Sequence, residues 1–195
     1  MVNTTPETSQ VMSAADIERA LTRIAHEIVE THRGVEDLVI LGIPRRGVPL
    51  AKRLGEKLAR IDSAFDPAAA LGALDITMYR DDLRAHSART PEPTEVPARG
   101  VDGATVVLVD DVLYSGRTVR AALDALSGIG RPEAVRLAVL VDRGHRQLPI
   151  RADHVGKNIP TSRDERVSVR LHGIDEVPPE DESVIITRGP AGGTA

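Results

Sequence analysis

The chain has no cysteine and no tryptophan, and its only aromatic residues are Phe65, Tyr79 and Tyr114. Without cysteine there is no disulfide framework and no thiolate chemistry. With so few aromatics, a platform that stacks successive bases of single-stranded nucleic acid is nearly excluded. No apolar run approaches membrane-spanning length. The start, Met1 to Ser13, is polar and lacks the basic-then-apolar pattern of a secretory signal. A cytoplasmic protein with no membrane partner is the expectation. The formal charge of −4 does not advertise nucleic-acid binding. There is no Gly-Lys-Ser/Thr phosphate loop and no Gly-x-Gly-x-x-Gly turn. No Ser/His/Asp nucleophile arrangement is evident, and no His/Asp cluster has metal-ligand spacing. A length of 195 residues suits one well-buried α/β domain and is short for two.

What is present is concentrated in one stretch: Val106, Val107, Leu108, Val109, Asp110, Asp111, Val112, Leu113, Tyr114, Ser115, Gly116, Arg117 and Thr118. Four branched aliphatics read as a buried parallel strand. Two carboxylates and a small-residue turn follow, and a helical pattern begins at Val119. In open α/β sheets ligands sit beyond the carboxyl ends of the strands. Ser115, Gly116 and Thr118 let backbone approach an anion, and the helix N-terminus behind them adds free N–H groups and a favourable dipole. The carboxylates would repel a phosphate. They suit a neighbouring diol, such as the hydroxyls of a ribose, or a hydrated Mg²⁺. An Asp-Asp pair after a strand can also merely cap a helix.

Along the rest of the chain, Ser13 and Asp16 mark a helix start in the manner of a capping box, and Ile17, Leu21, Ile24, Ala25 and Ile28 carry that helix to about Arg33. Strands are expected at Leu38–Leu41, Leu74–Met78, Ala134–Val141, His154–Val155, Val167–Leu171 and Val184–Thr187, with a helix from Val48 to Arg60. The alternation predicts a parallel sheet with helices on both faces. One domain is expected over 13–188, with 1–12 and 189–195 as flexible tails. From Arg80 to Gly103 the chain is polar and Pro-rich without periodicity, a length usually functional or disordered. Its first part, from Tyr79 through Arg80, Asp81, Asp82, Leu83 and Arg84 to Arg89, reads as a water-excluding lid or as a surface excursion. The turn Gly42-Ile43-Pro44-Arg45-Arg46-Gly47 places two guanidiniums and a glycine at a strand end. That suits a diphosphate, because arginine binds phosphate oxygens as a fork; a solvated basic turn has the same composition.

The 106–118 stretch resembles, position for position, the 5-phosphoribosyl 1-pyrophosphate (PRPP) signature of type I phosphoribosyltransferases. A second stretch, Val141-Asp-Arg-Gly-His-Arg-Gln-Leu-Pro-Ile-Arg-Ala-Asp-His-Val-Gly-Lys-Asn-Ile-Pro-Thr-Ser162, narrows the likeness. It is similar to the uracil phosphoribosyltransferases that also regulate pyrimidine operons, as are Arg19–Ile28 and Leu74–Leu83. The resemblance spans roughly Ser13 to Leu171. It implies an α/β type I phosphoribosyltransferase core, a mostly parallel sheet flanked by helices, with a small hood. It implies PRPP on 106–118, with Asp110 and Asp111 on the ribose and, indirectly, on a Mg²⁺ carried with PRPP. Pyrophosphate would fall to Arg45, Arg46 and Gly47, and leaving-group contact to Arg80. Uracil would meet a hood around Gly156, Lys157, Asn158 and Ile159. UMP or UTP would act as product and effector, on a homodimer or larger oligomer that controls pyrimidine mRNA leaders.

An RNA role has a modest footprint in the residues themselves. Between Val141 and Arg166 six cations stand against four carboxylates, and Arg19, Thr22, Arg23 and His26 share one helix face. Donors without aromatics would touch phosphates and 2′-hydroxyls rather than stack bases. On charge alone this is equally an ordinary solvated face. The resemblance selects Thr22, His26, Arg146, Arg151 and Lys157 as RNA contacts, with Arg146 and Arg151 placed away from the 110–118 turn. Two rival readings are a salvage transferase without RNA binding and an RNA regulator whose enzyme activity is incidental.

Overall fold

The computed structural model describes residues 7–32, 34–81 and 93–188. Helix α1 (Ala14–His32) begins at the capping box. The Ser13 amide donates to Asp16 Oδ2 at 2.9 Å, and the Asp16 amide donates to Ser13 Oγ at 3.3 Å. The backbone hydrogen bond from Ser13 is the main reason that the Asp16 carboxyl titrates low, at about 2. The apolar stripe of α1 is buried as the spacing requires.

Five strands build the central sheet: β2 (Leu38–Gly42), β3 (Leu71–Ala73), β4 (Thr105–Leu113), β5 (Ala134–Asp142) and β6 (His154–Asn158). Their order is β3-β2-β4-β5-β6, and every pairing is parallel. Val107 and Val109 of β4 face a core shared with α1 and α2 (Gly47–Ile61), whereas Val106 and Leu108 face a second core under α4 (Arg117–Ser127). Burial on both faces explains the uninterrupted aliphatic run. A short helix, α3 (Pro67–Ala70), precedes β3; Asp66 caps it by accepting the Ala68 amide at 3.0 Å.

Three expectations need correction. Residues 8–12 are not part of a tail. They form β1 (Thr8–Ser13), which pairs antiparallel with β8 (Ser183–Arg188), itself paired with β7 (Glu165–Arg170). This separate three-stranded sheet is the hood; residues 1–6 and 189–195 lie outside the described residues. Leu74–Met78 is not a strand. Pairing ends at β3, and Asp75 Oδ1 accepts the Thr77 amide at 3.0 Å and its hydroxyl at 2.7 Å, which turns the chain into a 3-10 turn at Thr77–Tyr79. The polar segment is not one excursion either. Residues 93–103 form a strap along the sheet edge: Glu95 exchanges two backbone hydrogen bonds with Ala73, and Arg99 Nη1 donates to the Leu38 carbonyl at 3.0 Å. Asp82, Leu83, Arg84 and Arg89 of the expected lid lie outside the described residues. Among the described residues no helix is long and apolar enough to cross a membrane.

His154 of β6 packs beside His32 of α1 with ring centroids 6.3 Å apart, and the Nε2 atoms of both are buried without a hydrogen-bond partner among the described residues. Burial is the main cause that pushes both imidazoles below their ordinary pKa; Asp153 and Glu27 oppose it at His154, and Arg136 reinforces it. A depressed histidine pKa means that protonation favours the unfolded chain. The contribution is therefore full above the unfolded value near 6.5 and is lost as pH falls below it. The unfolding free energy should fall between pH 7.5 and 5.5, with a slope of at most about 1.4 kcal/mol per pH unit per histidine, and the melting temperature with it. His154→Gln should flatten that dependence. An equal slope in wild type and variant by calorimetry would contradict the assignment.

Candidate functional site

Every strand of the central sheet points its carboxyl end to the same side, and the candidate residues gather there. β4 ends in Asp110 and Asp111. Asp110 is buried, and Asp111 is half-buried beside it. The Asp111 amide donates to Asp110 Oδ1 at 2.9 Å, and the Val112 amide to Asp111 Oδ1 at 2.8 Å. Burial and then the Asp111 charge hold the Asp110 carboxyl well above the usual carboxylate range, with Arg80 pulling the other way. A carboxyl under this pressure is favoured by any donor or cation placed against it.

Beyond the carboxylates the chain turns through Tyr114, Ser115 and Gly116 into α4. Gly116 stands at the N-cap with φ +91°, a backbone that side-chain-bearing residues rarely adopt. Helix geometry leaves the Thr118 and Val119 amides without intrahelical acceptors. The turn encloses a cavity of about 230 Å³, lined by 112–119 together with Asp110, Arg80 and Asp81. Arg117 is ion-paired with Asp81 and donates to Gln147 Oε1 at 2.9 Å, fixing one wall. Of the expected 106–118 stretch, Asp111 is not among the residues that line this cavity, and neither are Val106 to Val109. Val106 to Val109 are 0–2% exposed, and their role is to hold β4 in register.

The turn after β2 lies next to this cavity. The Ile43 amide donates to the Val109 carbonyl at 2.9 Å, and the Pro44–Arg45 peptide is cis. Gly47 packs so closely on β4 that a Cβ would sit 2.3 Å from the Val109 carbonyl oxygen. No larger residue would bring the two loops together. Arg45 is exposed and makes no side-chain hydrogen bond or ion pair among the described residues. Arg46 differs: its Nε and Nη2 bind both oxygens of Asp175 at 3.1 and 2.6 Å. Asp175 comes from the connection between β7 and β8, 129 residues away, so nothing local in the sequence announces it. The bidentate bond holds the guanidinium more firmly protonated and lowers the Asp175 carboxyl.

The expected uracil-side residues divide. Gly156 to Asn158 belong to β6 in the central sheet rather than to the hood. The Gly156 carbonyl is taken by Arg23 Nη2 at 2.7 Å, and Lys157 Nζ donates to the Val11 carbonyl at 2.7 Å. Asn158 and Ile159 line a second, open cavity at the strand ends, with Asp142, Arg143 and Arg151 on its wall. The expected RNA residues divide as well. Thr22, His26, Arg151 and Lys157 are exposed, on α1 and on β6 with the loop before it. Arg146 is not placed away from the turn: its Nη1 donates to the Tyr114 carbonyl at 2.9 Å. Charge counting cannot reveal which cations the protein uses internally. A buried arginine, Arg143, stacks over the Tyr114 ring with Cζ 4.3 Å from the centroid.

A phosphoribosyl transferase domain model matches residues 7–169. The chain is 62% identical over 170 residues to the bifunctional protein PyrR of Leifsonia xyli, spanning 86% of this chain and 92% of that one. It is 64% identical over 165 residues to the protein of the same name from Streptomyces coelicolor, spanning 85% and 84%. Among solved structures it is similar in fold to a hypoxanthine-guanine phosphoribosyltransferase from Bacillus anthracis. There the TM-score is 0.64 and the identity 18%, over 91% of this chain and 99% of that one. A hypoxanthine phosphoribosyltransferase from Trypanosoma cruzi in complex with IMP gives 0.65 and 16% over 94% and 95%.

Because Arg46 is held by Asp175, any diphosphate binding at this turn would compete with a carboxylate for it. Asp175→Asn should tighten inorganic pyrophosphate binding about fivefold, the scale of a partly exposed ion pair. Calorimetric titration checks it; unchanged or weaker binding would show that Arg46 does not face the anion.

Proposed function

The chain belongs to the phosphoribosyltransferase family, among the bifunctional PyrR proteins, and from that premise we propose how its residues perform the two activities. It is a uracil phosphoribosyltransferase: N1 of uracil displaces pyrophosphate from C1 of PRPP, giving UMP. It also regulates pyrimidine biosynthetic genes. The observation that carries the residue assignment is the convergence of carboxylates, an anion-sized turn and two arginines at one end of a parallel sheet.

The 5-phosphate enters the cavity bounded by 112–119, where backbone amides and the Ser115 and Thr118 hydroxyls receive it. Asp110 and Asp111 accept the ribose hydroxyls and stabilise the positive charge that grows at C1 as the pyrophosphate leaves. The diphosphate lies against the turn of Arg45, Arg46 and Gly47, and Arg80 approaches the same leaving group. Uracil lies in the open cavity beside Asn158 and Ile159. Catalysis is then positioning plus electrostatics, without a covalent intermediate. Among the described residues no three His, Asp or Glu side chains converge on one point. The donor set therefore fits a Mg²⁺ held mainly by the diphosphate and water, with Asp110 and Asp111 as its hard-oxygen neighbours. Such an ion, when bound, offsets the negative charge of the leaving group.

The RNA contacts proposed are Thr22 and His26 on α1 with Arg151 and Lys157 beside β6. Arg23 joins α1 to β6 by donating to the Val155 and Gly156 carbonyls at 2.9 and 2.7 Å, which supports reading the two sets as one face. A homodimer apposing two such faces would present a continuous surface to a folded leader RNA, and bound UMP or UTP would bias it.

Asp110→Asn and Asp111→Asn keep side-chain size and remove charge. Each should lower kcat/KM for UMP formation by about 100-fold or more while leaving the melting temperature close to that of the parent. Steady-state kinetics with near-parental values in both variants would sink the ribose assignment. On the regulatory side, Arg151→Gln should weaken leader-RNA binding and flatten its log–log salt dependence by about one unit at most. UMP should tighten parental binding. If leader and scrambled RNA bind alike and UMP changes nothing, the chain is a salvage enzyme only.

A further inference from the structure

The helix N-termini differ in where their negative charge comes from. Free N–H groups and the helix dipole favour an anion there and disfavour a cation. α1 carries Asp16 in its first turn, and α3 is capped by Asp66. α2 and α4, whose N-termini face the carboxyl edge of the sheet, have no acidic residue in the first turn and no side-chain cap. Each opens with an arginine instead, Arg46 at the N-cap of α2 and Arg117 as the first residue of α4. In both, a distant carboxylate supplies the missing charge. Asp175 binds Arg46 from 129 residues away, and Asp81 is ion-paired with Arg117 from 36 residues away. These are the two helix ends to which the transferase reading assigns an anion.

Asp81 is the less expected of the two carboxylates. It lines the 230 Å³ cavity of the 114–116 turn together with Arg117. A carboxylate on the wall of a cavity that receives a phosphate repels it. The repulsion disappears if the carboxylate yields its place as the phosphate arrives.

The surroundings permit that exchange. The side chains of Arg117 and Asp81 are 52% and 43% exposed, and an ion pair so open to water is easily parted. Arg117 Nε donates to Gln147 Oε1 at 2.9 Å, which keeps the guanidinium in place while Nη1 changes partner. A phosphate offers that guanidinium more charge and more acceptor oxygens than a carboxylate does. Asp81 follows the 3-10 turn at Thr77–Tyr79 and belongs to neither α4 nor the loop before it. Its departure leaves the Ser115–Gly116 backbone as it stands.

We infer that Asp81 is an internal stand-in for the 5-phosphate: it holds Arg117 in the free protein, the phosphate displaces it, and this competition sets how strongly the site prefers a phosphorylated ligand. The inference rests on the transferase reading for the identity of the phosphate.

UMP and uridine differ only in the phosphate, so calorimetric titration of the protein with each reads the effect directly. Asp81→Asn keeps the shape and removes the charge. It should tighten UMP binding about fivefold and leave uridine within about twofold of the parent. Asp81→Glu keeps a carboxylate within reach of Arg117 and should leave UMP within about twofold as well. The gain in Asp81→Asn should shrink below about twofold in about 0.5 M NaCl, where exposed charges are screened. In an Arg117→Gln background, Asp81→Asn should change UMP affinity less than about twofold, because no guanidinium remains to compete for. Unchanged or weaker UMP binding in Asp81→Asn overturns the inference. So does an equal gain for uridine, an equal gain in Asp81→Glu, or an undiminished gain without Arg117. If the parent binds UMP no better than uridine, the transferase reading of the cavity fails. Titration of parent and Asp81→Asn with inorganic phosphate then still decides whether Asp81 competes with an anion for Arg117.

Discussion

Gly42 pairs with Val109, and Val112 pairs with Val141, in one continuous parallel ladder. That register brings three chain turns to one edge: the Arg45–Arg46 turn after β2, the carboxylates and the 114–116 turn after β4, and the 143–150 loop after β5. A slip in β4 would carry Asp110 and Asp111 to the wrong face or the wrong depth, since side chains alternate along a strand. Gly47 locks the arrangement by contacting the β4 backbone at a distance that only glycine tolerates. The aliphatic cores on the two faces of β4 set the position of these turns.

Charge is distributed around this edge in opposition. Asp110 is buried with Asp111 at its side, and Arg45, Arg46, Arg80 and Arg117 come from neighbouring turns. Helix α2 connects this edge to the hood twice. Arg46 at its N-terminus holds Asp175, and Arg53 on its body donates to the nearly buried Glu182 at 2.9 Å. Glu182 in turn accepts the His172 amide at 3.0 Å. The connection between β7 and β8 is thus fastened at both ends to the helix that begins at the proposed diphosphate turn. An anion that draws Arg46 from Asp175 would loosen one of those fastenings.

The sheet and the turn after β4 were legible in the sequence because their signals are local: aliphatic runs, a capping box, a Ser-Gly-Arg-Thr turn after two carboxylates. Strand β1 escaped because its partner, β8, lies at the far end of the chain and residues 8–10 are exposed. Leu74–Met78 has strand composition, and the Asp75 side chain overrides it. The 93–103 strap carries no periodicity because its bonds are scattered: backbone contacts to α3 and β3, and one from the Arg99 side chain to β2. The placement of Arg146 beside the turn escaped for a different reason. Its basic neighbourhood suggests a surface for anions, but whether a guanidinium faces outward depends on carbonyls more than thirty residues away, which composition does not encode.

The central claim is that the carboxyl edge of β4 holds a nucleotide and that the 143–150 loop responds with it. Hydrogen exchange of the parental protein with and without UMP tests this directly. Protection is predicted over 110–119 and 143–150, with none at the His32–His154 end of the sheet. Protection confined to that opposite end, or no change at 110–119 under saturating UMP, would contradict the account.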